Sequence, residues 1–229
     1  MSEKTSNRGA CQGSISPTTR LGATQAVMAV MVALLMLIGA ISVSAEQTPT
    51  ESVKRTIDNV IQILNTDALK QPSRSVERRQ KIEDVVRQRV SYEDMAKRAL
   101  GMPWIELTDT ERQEFTGLFV QLLRDMFAGR IDEYVDEQVL YLSEQREENC
   151  AEVRTKLLGQ KVDTLLDFRL ADKSGQWSVY DVVIDGASIV SNYHAQFTSI
   201  IRDHAYAGLV QKMKEKTLVV KAFETTTAP

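Results

Sequence analysis

An α+β fold, several helices packed on a twisted antiparallel sheet of about four strands, follows from three features of the sequence. Apolar residues recur at three- and four-residue spacing up to about residue 135. They alternate every second residue between 138 and 184, and the helical spacing returns after Gly186. Helices, then a meander of strands, then helices is the segregated order of an α+β domain, not the alternating order of a parallel sheet.

The first helical stripe is Val53, Ile57, Val60, Ile61 and Leu64, which predicts a helix over 50–66. A polar stretch with Pro72 follows, then a charged helix over 75–90 with Ile82, Val85, Val86 and Val90 inward. Ser91, with Asp94 three residues later, marks a helix start, and Gly101 with Pro103 marks its stop. Thr108 to Glu111 has the spacing of a capping box and opens the clearest helix of the chain. Its stripe is Phe115, Leu118, Phe119, Leu122, Leu123, Met126 and Phe127, with Gly129 expected to end it and a short helix around Ile131–Val135 presenting Tyr134.

Strands are predicted at 138–146, 150–157, 161–171 and 176–184. In the third, Val162, Thr164, Leu166, Phe168 and Leu170 share one face, and Asp163, Leu165, Asp167 and Arg169 share the other. Asp172 to Gly175 is a turn, so the third and fourth strands form a hairpin. After the break at Asp185-Gly186, Ile189, Val190, Tyr193, Phe197, Ile200 and Ile201 predict another amphipathic helix. A last one covers about 205–217 with Leu209, Val210 and Met213 inward, and the Thr-rich tail 224–229 is expected to be disordered.

The N-terminus has a different character. Leu21 to Val43 carries no charge and ends in Val43-Ser44-Ala45, with Glu46, Gln47, Thr48 and Pro49 beyond. Small residues before a polar break suit a signal peptide, residues 1–45, cleaved after Ala45. The rival is a retained anchor, since the apolar run is long enough to span a bilayer. Either way residues 46–223 are expected as one domain outside the cytoplasm, in the periplasm. Without residues 1–45 the chain holds 25 Lys plus Arg against 30 Asp plus Glu, a formal charge of −5. Such a balance offers nothing to nucleic acid. Cys11 falls in the leader and leaves Cys150 alone, so no internal disulfide supports the fold.

Most catalytic chemistries have no footing here. The only histidines, His194 and His204, lie ten residues apart, and no cluster has zinc-ligand spacing. Cys150 sits among Glu148, Asn149 and Glu152, which disfavour a thiolate. No nucleophile elbow, phosphate loop or dinucleotide fingerprint follows a strand. Asp163, Asp167, Asp181 and Asp185 remain as acid–base candidates, read more simply as a solvated sheet face and turn caps. Asp181, which interrupts an apolar strand, reads best as a hydrogen-bonding link to the next loop.

One segment is specific. Trp177-Ser-Val-Tyr-Asp181, Val183-Ile-Asp-Gly186-Ala-Ser188-Ile-Val190, Asn192-Tyr193 and Gln196-Phe197 resemble the pattern of the MlaC family, also called the toluene-tolerance or ABC-transporter auxiliary family. Leu100-Gly101 with Trp104, and the helix from Thr108 through Arg112, Phe115, Phe119 and Leu122-Leu123, are similar to its upstream motifs. The resemblance runs from about residue 51 to 217. Two departures are Ala187, where the family usually has Val, and His194, where it often has a basic residue.

The resemblance implies a periplasmic phospholipid carrier. Its partners would be an outer-membrane lipoprotein complex and an inner-membrane ABC transporter bearing an MCE-domain protein; phospholipid is cargo, and no cofactor is implied. Acyl chains would lie between sheet and helices. The candidate walls are Leu165, Leu166, Phe168, Leu170, Val179, Val182 and Ile184 from the strands, and Phe119, Leu123, Met126, Phe127, Tyr134, Tyr193 and Phe197 from the helices. The same residues would form the filled core of any α+β domain, and periodicity alone does not separate the two. Two other functions stay open: an adaptor without lipid, and a small hydrolase-like enzyme using Asp181 or Asp185.

Overall fold

The computed structural model describes residues 47–132, 134–160, 162–216 and 218. The expected signal peptide and the expected disordered tail lie outside the described residues. Among those described, no helix is long and apolar enough to cross a membrane.

Helix α1 is Pro49–Leu64. Thr48 Oγ1 accepts from the Glu51 N–H at 3.1 Å, and Glu51 returns the contact to the Thr48 N–H at 3.1 Å. Pro49 at the first helical position needs no donor there. This reciprocal cap, worth about 1 kcal/mol, starts the helix one residue before the apolar stripe suggests. A short α2, Asp67–Lys70, leads into α3, Ser75–Arg87. Helix α4, Tyr92–Leu100, buries Met95, Ala96, Ala99 and Leu100, and stops at Gly101, whose φ of 72° favours glycine.

Helix α5, Asp109–Asp132, opens on the expected capping box, with the Thr108 N–H donating to Glu111 at 2.8 Å. It does not end at Gly129. That glycine lies outside the positive-φ region, and Asp132 is gripped by Arg78 and Arg79 of α3. Tertiary ion pairs carry the helix past a local breaker, so the expected short helix at 131–135 is absent and Tyr134 follows the end of α5.

The sheet consists of β1 Gln138–Glu147, β2 Cys150–Leu158, β3 Thr164–Lys173, β4 Gln176–Ile184 and a two-residue β5, Ala187–Ser188. All neighbours are antiparallel in sequence order, so the meander holds with one extra short strand. Residue pairing changes register between β3 and β4: Arg169 faces Asp181, whereas Leu170 faces Val179. Tyr180 is the extra residue of this bulge. It switches the alternation of β4, so Trp177 and Val179 on one side of it and Val182 and Ile184 on the other all turn inward.

Helix α6, Ile189–Lys214, starts at an N-cap in which Ser188 Oγ accepts from the Ser191 N–H at 3.0 Å. Ala205 (φ 56°, ψ 177°) breaks it, leaving the two helical segments that the sequence predicts on either side.

Candidate functional site

Two closed apolar clusters frame the interior. The larger joins α4, α5 and α6 around an aromatic stack. Phe119 lies 5.2 Å from Tyr193 and Phe115 lies 5.7 Å from Phe197, ring centre to ring centre, with all four buried. Offset and edge-on rings at such distances fill space efficiently. The smaller cluster packs Val53 of α1 against Ala151, Val153, Leu170, Trp177 and Val179 of the sheet.

Between them runs a row of apolar side chains that face inward yet stay half-buried. Leu166, Phe168 and Val182 come from the sheet, Met126 and Phe127 from α5, Ile57 from α1, and Tyr141 from β1. Val90 and Val182 touch both clusters and join them. An interior at normal packing density leaves no such exposure on its inward faces. This row therefore borders unfilled space, and the space is apolar. Burial pushes the Tyr141 hydroxyl up to about 12, with Asp58 adding to the shift, so the phenol stays neutral.

The predicted walls divide three ways. Leu166, Phe168, Val182, Met126, Phe127 and Tyr134 are half-buried and are positioned as walls. Phe119, Leu123, Leu170, Val179, Ile184, Tyr193 and Phe197 are closed into the clusters and support those walls from behind. Leu165 belongs to neither: it pairs with Lys156, stands on the outer face and is 43% exposed. Adjacent strand residues point to opposite faces, so Leu165 and Leu166 cannot share one cavity. Ile57, Val90 and Tyr141 complete the row; the helical stripes contain the first two, and Tyr141 alternates with Val139 on β1.

The polar candidates are engaged in holding the fold. Asp181 accepts from the Val190 N–H at 3.1 Å, from Ser188 Oγ at 2.7 Å and from Arg169 at 3.2 Å, the link to the next loop that its place in β4 suggests. Asp185 accepts from the Leu165 N–H at 2.9 Å, Asp163 pairs with Lys156 at 2.7 Å, and Asp167 lies 3.4 Å from Arg154. His194 places Nδ1 3.2 Å from the Ala99 carbonyl and its ring against Gly101, at the end of α4. Cys150 is exposed at the start of β2. Among the described residues, no group of three His, Cys, Asp or Glu side chains gathers to hold a metal ion.

A solved structure of the phospholipid-binding protein from Ralstonia solanacearum, in complex with a phospholipid, has the same fold. Its TM-score is 0.68 at 23% identity, over 72% of this chain and 94% of that one. The intermembrane phospholipid transport system binding protein MlaC of Haemophilus influenzae is 24% identical over 132 residues, 55% of this chain. The matched region spans 62% of that relative's length. Residues 54–215, from α1 through α6, match the model of the MlaC protein family, and the chain belongs to that family.

Proposed function

We propose that this protein is a periplasmic phospholipid carrier, exported by a cleaved N-terminal signal peptide. It would shuttle lipid between an outer-membrane lipoprotein complex and an inner-membrane ABC transporter bearing an MCE-domain protein. The observation that carries the proposal is the half-buried apolar row between two closed clusters. The Ralstonia protein, which shares the fold, was solved with a phospholipid bound.

The energetics fit a carrier. Sheltering a two-tailed lipid removes roughly 30 methylenes from water, and at about 0.8 kcal/mol each this is on the order of 20–25 kcal/mol. Escape into water is negligibly slow, whereas a bilayer offers the tails nearly the same environment. Exchange therefore depends on docking partners that open a dry path. An adaptor without lipid has no use for interior apolar walls left half exposed. A hydrolase needs a carboxylate free to move protons, and Asp181 and Asp185 are committed to backbone N–H groups.

The test is to express the full chain in a bacterium, purify it from the periplasm without detergent, and analyse an organic extract by lipid mass spectrometry. Stoichiometric phospholipid is expected. A folded protein that carries none, and takes none from vesicles, would remove the carrier reading.

A further inference from the structure

Helices α3 and α5 run antiparallel along one side of the apolar row and are joined by two charged clusters. At one end Arg78 and Arg79 both bind Asp132, Arg78 at 2.8 Å. At the other, Glu83 holds Arg124 and Arg87. The two clusters differ in their balance of donors. Glu83 is half of a surface ion-pair network. At Asp132 two guanidinium groups share one carboxylate, and the Nε–H groups of both Arg78 and Arg79 are buried without an acceptor among the described residues. A buried donor left unpaired costs free energy that an incoming acceptor recovers.

Position gives this surplus a meaning. Arg78 lies on the same stripe of α3 as Ile82, Val85 and Val86, at four-, seven- and eight-residue spacing, and its side chain is only 13% exposed. Asp132 closes the helix that supplies Met126 and Phe127 to the row, two residues before Tyr134. A net positive charge with spare donors therefore sits where an apolar stripe ends. That juxtaposition matches a molecule with apolar chains and one phosphodiester.

We infer that Arg78 and Arg79 form a phosphate subsite for the headgroup of the bound lipid, with Asp132 holding the two guanidinium groups in place. The inference rests on the carrier reading and deepens it. Arginine suits the task because its planar donors meet phosphate oxygens in pairs and its charge does not titrate away. The surplus is one positive charge, so phospholipid is distinguished from diacylglycerol of identical tails.

The experiment offers the full-length protein, purified from the periplasm, vesicles of dioleoylphosphatidylcholine and dioleoylglycerol of known ratio. Bound lipid is then quantified by mass spectrometry. The wild type is expected to enrich the phospholipid about tenfold over the vesicle ratio, the effect of one charge-assisted contact. Arg78→Gln/Arg79→Gln should bring the ratio back to that of the vesicles while total lipid is kept. Asp132→Asn, which releases more of the arginine charge, should raise the enrichment; a mere interhelical clamp would instead lower total lipid without moving the ratio. Equal binding of both lipids by the wild type overturns the subsite and leaves the carrier standing. Wild type that binds neither overturns the carrier itself. A melting-temperature rise with inorganic phosphate that both arginines are needed for, without lipid preference, would assign them to a free anion and overturn the headgroup role.

Discussion

Asp181 in the middle of β4 accepts a hydrogen bond from the backbone N–H of Val190, 3.1 Å away in the first turn of α6. The same carboxylate takes Ser188 Oγ, the N-cap of that helix, and Arg169 from β3. One buried acid thus fixes the angle at which the last helix leaves the sheet, and with it Tyr193 and Phe197 in the aromatic cluster. Asp181→Ala leaves the Val190 N–H and a half-buried guanidinium without their acceptor. The expected loss is about 2–3 kcal/mol in urea unfolding, with Asp181→Asn losing less because it still accepts.

Gly101→Ala tests the junction between α4 and α6. A Cβ there would lie 2.6 Å from His194 Cε1, and the backbone φ of 72° is unfavourable for alanine. The ring has to leave the Ala99 carbonyl to make room. We expect a loss of about 2 kcal/mol from strain and displacement together. In a His194→Ala background the same substitution should cost less, and the difference in a double-mutant cycle measures the contact.

Ala205→Gly should stabilise. Ala205 is exposed, so no packing is lost, and its φ of 56° with ψ of 177° lies in a region that glycine alone occupies freely. Relief of strain, on the order of 1–3 kcal/mol, outweighs the roughly 0.5–1 kcal/mol of extra chain entropy. The expected result is a rise in the urea midpoint with an unchanged slope.

These positions show what the sequence could reveal. Alternation placed Leu166, Phe168 and Leu170 on one face, and Thr108 with Glu111 announced the start of α5. Such signals are local, since they rest on periods of 2 and 3.6 and on caps within one turn. The end of α5 was illegible because Arg78 and Arg79, more than fifty positions away, hold Asp132. The separation of wall from core was illegible for a related reason. Phe119 and Phe127 share one stripe with the same spacing, and only the arrival of Tyr193 and Phe197 from α6 closes one and leaves the other half open. The pattern that resembles the family lies mainly in β4 and α6, where the fold is fixed, and not in the row that would hold the cargo.

Acid should loosen the α3–α5 seam. Burial alone would raise the Glu83 pKa, but hydrogen bonds and charge from Arg124 and Arg87 outweigh it and hold the carboxyl below its ordinary value. Asp132 is lowered against burial in the same way by Arg79 and Arg78. A carboxylate depressed in the folded state stabilises fully above its unfolded pKa, about 4 for these groups. That contribution is lost as pH falls through the folded value. Urea unfolding between pH 7 and about pH 3 should show a decline that is shallower in Glu83→Gln/Asp132→Asn. An identical decline in that variant would assign the acid sensitivity to other groups.

The pair Leu165 and Leu166 separates the lipid walls from the sheet that carries them. They are neighbours in β3, equal in chemistry, and turned to opposite faces: Leu166 pairs with Thr155 and Ile184 on the inside, Leu165 with Lys156 on the outside. A carboxylate at 165 meets water and a lysine, so Leu165→Glu should keep the wild-type lipid content. A carboxylate at 166 enters the apolar row, where a buried charge without a partner costs several kcal/mol or draws in water. Either result is hostile to an acyl chain. Leu166→Glu and Val182→Glu should therefore purify folded by circular dichroism and nearly free of phospholipid. Full lipid content in both inner variants would take the cargo out of this row and leave its half-exposed side chains as loose packing.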